Sequence, residues 1–171
     1  MNSRHTILCV ALIIVLLLAV AANSAPDVQK LLPVKGELAG FDIMPETLVY
    51  GKGVNVSKVY NGGYEVYTKN GVIDVAKQMY RRGDAFVEVT GHTMKSAKAA
   101  TDFINYWAKQ REAKAGTNAD TGFGFVVTKP NVMAYYAMDK YFVTVGAFHT
   151  QGNPSKDVEL FAKAVRKKVK K

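Results

Sequence analysis

The side chains that could do chemistry in this sequence are few and scattered. Beyond the first 24 residues the histidines are His92 and His149. A metal centre wants ligands at short, regular spacing, as in His-x-x-x-His on one helix face. Neither histidine has a second histidine or an acid so placed. Each is expected to end a strand near the surface, where the two could meet at one sheet edge. Cys9 is the single cysteine and sits inside an apolar N-terminal run. Residues 25–171 therefore hold no thiol, which excludes thiol catalysis, disulfide exchange and cysteine metal sites from them. No serine stands in Gly-x-Ser-x-Gly. Asp74 and Glu88 fall in neighbouring predicted strands, but sequence alone cannot pair two acids for proton transfer. Gly122-Phe123-Gly124-Phe125 is glycine-rich. A phosphate loop, however, runs into a helix and uses a lysine at fixed spacing, and here Val126-Val127-Thr128 follow. A strand with a bulge or a closely packed face is expected instead. No catalytic, metal or cofactor set emerges.

Aromatic side chains with polar tips are more plentiful. Tyr60, Tyr64 and Tyr67 stand close together, and Tyr80, Trp107, Tyr135 and Tyr136 add to the set. Such rings line ligand pockets, the ring giving area and the hydroxyl direction. They also fill the core of a domain without disulfides. Tyr60, Tyr64, Tyr67 and Trp107 are the candidate ligand-binding residues. In the last predicted helix, Lys163, Arg166, Lys167 and Lys170 fall opposite the apolar stripe at helical spacing. They suit either the negative end of the helix dipole or contact with an anionic surface such as lipid head groups. Arg82-Gly83-Asp84 has the form of an adhesion tripeptide, but glycine and aspartate belong in a hairpin turn for backbone reasons. Asn55-Val56-Ser57 fits a glycosylation acceptor.

These side chains need elements to carry them. Residues 27–32 suit one or two helical turns stopped by Pro33. Residues 41–50, interrupted by Pro45, suit an edge strand or an extended loop. Residues 57–69 have helical spacing at Val59, Tyr60, Tyr64 and Tyr67, with Asn70-Gly71 as a left-handed stop. Gly62-Gly63 weakens that helix by about 1 kcal/mol per glycine. Residues 72–80 and 85–92 read as two strands joined by Arg81-Arg82-Gly83-Asp84. Thr93 or Ser96 can cap a long helix reaching about Lys114. Strands follow over 122–128, 132–138 and 141–148, with turns at Lys129-Pro130-Asn131 and Asp139-Lys140. Ser155 after Pro154 is expected to cap a final helix with Val158, Phe161, Ala162, Val165 and Val169 as its stripe. Strands in groups followed by helices predict an α+β fold, an antiparallel sheet of about five strands packed by two or three helices.

The first segment has the three parts of a secretory signal. Arg4 lies in a short polar start, residues 7–22 are an unbroken apolar run of 16, and Ala22-Asn23-Ser24 supplies small residues for a cut before Ala25. Retention of the run as an anchor is the alternative. Residues 1–24 are expected to be a signal peptide and residues 25–171 one domain, periplasmic or secreted. Arg4 aside, the 23 Lys and Arg become 22 against 14 acids, a net +8. Six of those cations lie from Leu160 onward with no acid among them. The charge belongs to the C-terminus and argues against a nucleic-acid surface.

The stretch Asn61-Gly62-Gly63-Tyr64-Glu65-Val66-Tyr67-Thr68-Lys69-Asn70-Gly71, closing at Tyr80, resembles a family of exported bacterial proteins without an assigned activity. That family carries Asn/Asp-Gly, a small residue, Tyr, a following Gly and a second Tyr that closes a strand. Val87-Glu88-Val89, a helix beginning at Ala97, Tyr141-Phe142-Val143-Thr144-Val145 and a C-terminal helix extend the resemblance over residues 38–170. Gly63-Tyr64 departs from it, alanine and a helix former being the family's residues there. The resemblance implies export and an α+β fold and brings no site residues. The expected function is an exported accessory or binding domain for an unknown ligand or an envelope protein. The alternatives are a small hydrolase-like enzyme with unidentified carboxylates, and an envelope-surface protein held by its basic C-terminal helix.

Overall fold

The computed structural model describes residues 27–60 and 62–170. The expected signal peptide lies outside them. No helix among the described residues is long and apolar enough to cross a membrane. The elements in chain order are α1 (Asp27–Lys30), β1 (Asp42–Ile43), β2 (Val49–Lys52), a 3-10 helix (Gly53–Val59), α2 (Glu65–Lys69), β3 (Val72–Arg82), β4 (Ala85–Met94), α3 (Ala97–Gln110), β5 (Gly116–Asn118), β6 (Gly122–Val127), β7 (Val132–Met138), β8 (Tyr141–Ala147) and α4 (Pro154–Val169).

All strand pairs are antiparallel, in the order β1-β3-β4-β8-β7-β6-β5, with β2 also pairing on the outer edge of β3. The fold is α+β, as expected, but the sheet has eight strands rather than about five. The five long strands are those predicted. Beyond them, β1 and β2 flank Pro45 where an edge strand or an extended loop was expected, and the exposed β5 is an addition. Strands of two to four residues are too short to show an alternating pattern.

Turn chemistry fixes the central register. Arg82 pairs with Ala85 across Gly83-Asp84, and Gly83 takes φ +57°, a conformation glycine adopts without steric cost. The pairs from Arg82–Ala85 to Asp74–Thr93 follow from that two-residue loop, and an irregularity between Val72 and Asp74 shifts the last one. The chain then crosses from β4 to the opposite edge through α3. Ser96 caps α3 by accepting from Ala99 N–H, and the helix ends at Gln110, short of Lys114. Asn153, rather than Ser155, caps α4, accepting from Lys156 N–H, with Pro154 as the first helical residue.

The predicted helix over residues 57–69 is broken. A 3-10 helix ends at Val59, and α2 starts only at Glu65. Gly62 and Gly63 between them adopt φ +92° and +70°, outside the helical region.

Two apolar layers sandwich the sheet. On one face α1 and α4 bring Val28, Leu31, Phe161 and Val165 against Tyr80, Val89, Val143 and Val145. Val28 and Leu31 lie over Gly91 of β4 at van der Waals distance. On the other face the 3-10 helix and α3 bring Val56, Val59, Phe103 and Ile104 against Val75, Phe125, Tyr135 and Phe142.

Candidate functional site

The second face is built in rows, because alternate residues of each strand point the same way. One row runs Val75, His92, Phe142, Ala137, Phe123 across the strands from β3 to β6. The next runs Lys77, Thr90, Thr144, Tyr135, Phe125, and a third runs Met79, Glu88, Gly146, Met133, Val127. The first row lies under α3 and the 3-10 helix, with His92 and Phe142 fully buried. Across the second and third rows cover thins. Lys77, Met79, Glu88, Thr144, Met133 and Val127 are half-buried, and Phe148 beyond them is 43% exposed.

Along the boundary between the covered and uncovered halves stands an aromatic layer. Tyr60 and Tyr67 stack at 4.0 Å, and Tyr67 lies nearly parallel to the His92 ring at 5.4 Å. Phe103 meets Tyr67 edge-on, and Trp107 touches both. The Tyr60 hydroxyl is hydrogen-bonded to His92 Nε2. His92 Nδ1 lies 2.9 Å from the Phe142 carbonyl oxygen, which can only accept, so Nδ1 carries the proton and Nε2 accepts from the phenol. Burial pushes the imidazole down to about 4, against the favourable hydrogen bond to Phe142. It also raises the Tyr60 phenol far above its ordinary range and pushes Tyr67 up to about 12. Glu88 adds to both phenol shifts, which places its charge within range of the two hydroxyls.

Of the four aromatic candidates, the fold brings Tyr60, Tyr67 and Trp107 into one layer. Tyr64 packs against the same core without joining the stack. His92 corrects its expectation. It is sealed under the rings, 1% exposed, rather than near the surface. The two histidines do not meet, since His92 pairs with Phe142 at one end of β8 and His149 follows the other end beside Phe86.

Sequence reasoning missed Lys77. It lies diagonally across the β3–β4 pair from Glu88, with Nζ 3.6 Å from Glu88 Oε2 and 3.4 Å from the Val59 carbonyl oxygen. The signal was present, because the Gly83-Asp84 loop alone sets which residues of the hairpin face each other. Asp74 and Glu88 are on neighbouring strands as expected, but Asp74 pairs across from Thr93 and Glu88 from Met79. Asp74 accepts from the Tyr50 hydroxyl at 3.3 Å. The two carboxylates are not a catalytic pair. Gly122 and Gly124 belong to a strand, and a Cβ on Gly124 would strike the Tyr135 carbonyl oxygen at 2.0 Å. That glycine-rich stretch is a close-packing device. No group of three or more metal-ligating side chains is found among the described residues.

A second polar cluster lies at the start of α4. Arg82 donates to both oxygens of Asp157 at 2.8 and 2.7 Å, and His149 Nε2 stands 3.2 Å from Asp157 Oδ2. Asp157 is 6% exposed and the Arg82 guanidinium also stacks 4.3 Å over Phe41. Open hollows flank Arg82 on several sides. Its guanidinium is already committed to the carboxylate and the ring, so the cluster ties β3 to α4. No sequence signal joins residues 75 apart. Arg82 of the adhesion-like tripeptide is thus engaged with Asp157 and Phe41, its side chain 44% exposed.

The four cationic candidates part company. Lys163 bridges Asp120 at 3.1 Å and Glu159 at 2.7 Å. Arg166 is half-buried, while Lys167 and Lys170 are exposed. Lys168 turns back to Glu37 and the Leu32 carbonyl oxygen.

This site sits on a sheet architecture that recurs in a solved structure, the extracellular domain of PknH from Mycobacterium tuberculosis. The two share 14% identity, with a TM-score of 0.58 over 86% of this chain and 98% of that one. The likeness is one of fold. No protein-family model matches the sequence, and no curated protein matches it.

Proposed function

We propose that this chain is an exported binding domain that holds its ligand on the uncovered half of the second sheet face. The carrying observation is how that face is finished. Its first row is sealed by rings, while the adjoining rows leave Lys77 and Glu88, each 26% exposed, beside the half-exposed Phe148. A charged pair and an exposed aromatic ring on one face offer a ligand directed polar contacts together with apolar area. The Tyr60–Tyr67 stack and Trp107 form the wall of that site rather than its floor, and Tyr64 supports the wall.

Export rests on the signal-like residues 1–24 and on the exported bacterial family that the Asn61-to-Tyr80 motif resembles. A fold shared with an extracellular domain agrees with it. The test is to purify the chain from its native compartment and compare native with denaturing mass spectra. Extra mass lost on denaturation, and absent from a Lys77→Ala variant, supports the reading. Bound mass that survives in that variant places the ligand elsewhere. N-terminal sequencing of the same preparation reads the cleavage point, and Met1 intact on a membrane-bound product refutes the signal peptide.

A further inference from the structure

The uncovered half of the sheet face carries two charged groups with hydrogen-bonding capacity to spare. Lys77 and Glu88 are each about three-quarters buried, yet their contacts are long. The ammonium, with three N–H donors, reaches the Val59 carbonyl oxygen at 3.4 Å and Glu88 at 3.6 Å. The Glu88 carboxylate has no other polar contact among the described residues. Charge-assisted hydrogen bonds settle near 2.7 to 2.9 Å, so this pair is held apart by its strands rather than closed on itself. Thr144, across from Thr90 and half-buried, adds a hydroxyl to the same row.

Beside the pair lies an apolar surface. Gly146 stands directly across from Glu88. A Cβ at Gly146 would come within 2.4 Å of Met133 Sδ and 3.1 Å of the Phe148 ring. The missing side chain lets both lie over β8, with the Phe148 ring 43% exposed. An aromatic ring, a neutral hydroxyl and a spread donor–acceptor pair therefore share one surface.

Resting on the binding reading above, we propose that this surface takes a neutral saccharide. A hydroxyl both donates and accepts. Two vicinal hydroxyls can therefore accept from Lys77 and donate to Glu88 together, while the C–H face of the sugar ring lies on Phe148. The balance of charge suits a neutral ligand, since an anion at Lys77 would also meet the Glu88 carboxylate 3.6 Å away, and a cation at Glu88 the ammonium. An extended peptide fits less well. Peptides read a sheet through the unpaired groups of an edge strand, whereas Lys77 and Glu88 lie on the face of two interior strands.

The test is saturation-transfer NMR on the purified chain with glucose, galactose, mannose, N-acetylglucosamine and their disaccharides at millimolar concentration. A mixture of neutral tripeptides runs in parallel. Lys77→Met, Glu88→Gln and Phe148→Ala are compared with wild type, each first shown to melt cooperatively. Expected is transfer to at least one saccharide, with affinity reduced about tenfold or more by each polar variant and several-fold by Phe148→Ala. Saccharide binding unchanged in all three variants overturns the proposal. Tripeptide binding that depends on Lys77, with no saccharide transfer, overturns the saccharide while leaving the binding face in place. No probe responding to any of the variants overturns both.

Discussion

On the face covered by α1 and α4, Val87, Val89, Val143, Val145 and Phe161 are all fully buried, and the apolar layer runs along the length of the central strands. On the opposite face burial is as complete at His92 and Phe142, then gives way within two rows to Lys77, Glu88 and Phe148. The same strands carry both faces, so the difference lies in what covers them. The α4 helix is 16 residues long and packs on both β7 and β8. The 14-residue α3 and the seven-residue 3-10 helix share the cover of the other side, and the rings of Tyr60 and Tyr67 lie over His92. One face is committed to stability, and the other divides its area between stability and an exposed, chemically mixed surface.

The sealed face carries the largest expected effect. Phe161 contacts Phe41 edge-on at 4.9 Å and Tyr80 at 4.8 Å. Phe161→Ala is expected to cost about 3–5 kcal/mol through lost burial and a residual cavity. Urea denaturation followed by tryptophan fluorescence measures it. A cost under about 1 kcal/mol would show that the two faces do not differ in the way their burial indicates.

The aromatic boundary of the second face gives the next effect, and it depends on pH. His92 has its folded value lowered to about 4 from an ordinary 6.5. Between those values the unfolded chain binds a proton that the folded chain refuses. Stability from this group is therefore complete above about pH 6.5, falls as pH drops towards about 4, and is constant below that. The full loss is on the order of 3 kcal/mol. Denaturation midpoints of wild type and His92→Leu at pH 7 and pH 4.5 isolate it, because the variant lacks this part of the slope. Equal slopes in the two proteins would show that the ring over His92 opens freely enough to let the proton in.

How much of this was legible in the sequence follows from the distance over which each feature is set. The two strands read over residues 72–80 and 85–92 with the turn between them, and the apolar stripe of the last helix, are local patterns, and the structure keeps both. Gly62-Gly63 was visible as a weakness in a helix and proves to be its break, because both glycines take positive φ. The gathering of Tyr60, Tyr67 and Trp107 was legible as an aromatic set, but the burial of His92 beneath it was not. That burial needs Tyr60 and Tyr67 to lie over the imidazole and Phe103 to back Tyr67 and Phe142, all from distant parts of the chain. Lys77 and Glu88 are an intermediate case. Their meeting follows from a two-residue turn, yet their partial exposure depends on the tertiary cover, such as the end of the 3-10 helix at Val59 beside Lys77.

The smallest expected effect falls on the uncovered half. Phe148 is as large as Phe161 but 43% exposed, and its ring rests on Gly146 and the Met133 sulfur rather than inside a closed shell. Truncating it leaves no enclosed cavity, so Phe148→Ala is expected to cost less than about 1 kcal/mol in the free protein. The same urea experiment used for Phe161→Ala reads it, and the ratio of the two costs measures how unequally the faces contribute. A cost near that of Phe161→Ala would mean that the second face is sealed in solution, and that Lys77 and Glu88 lie beneath a cover rather than beside a ligand.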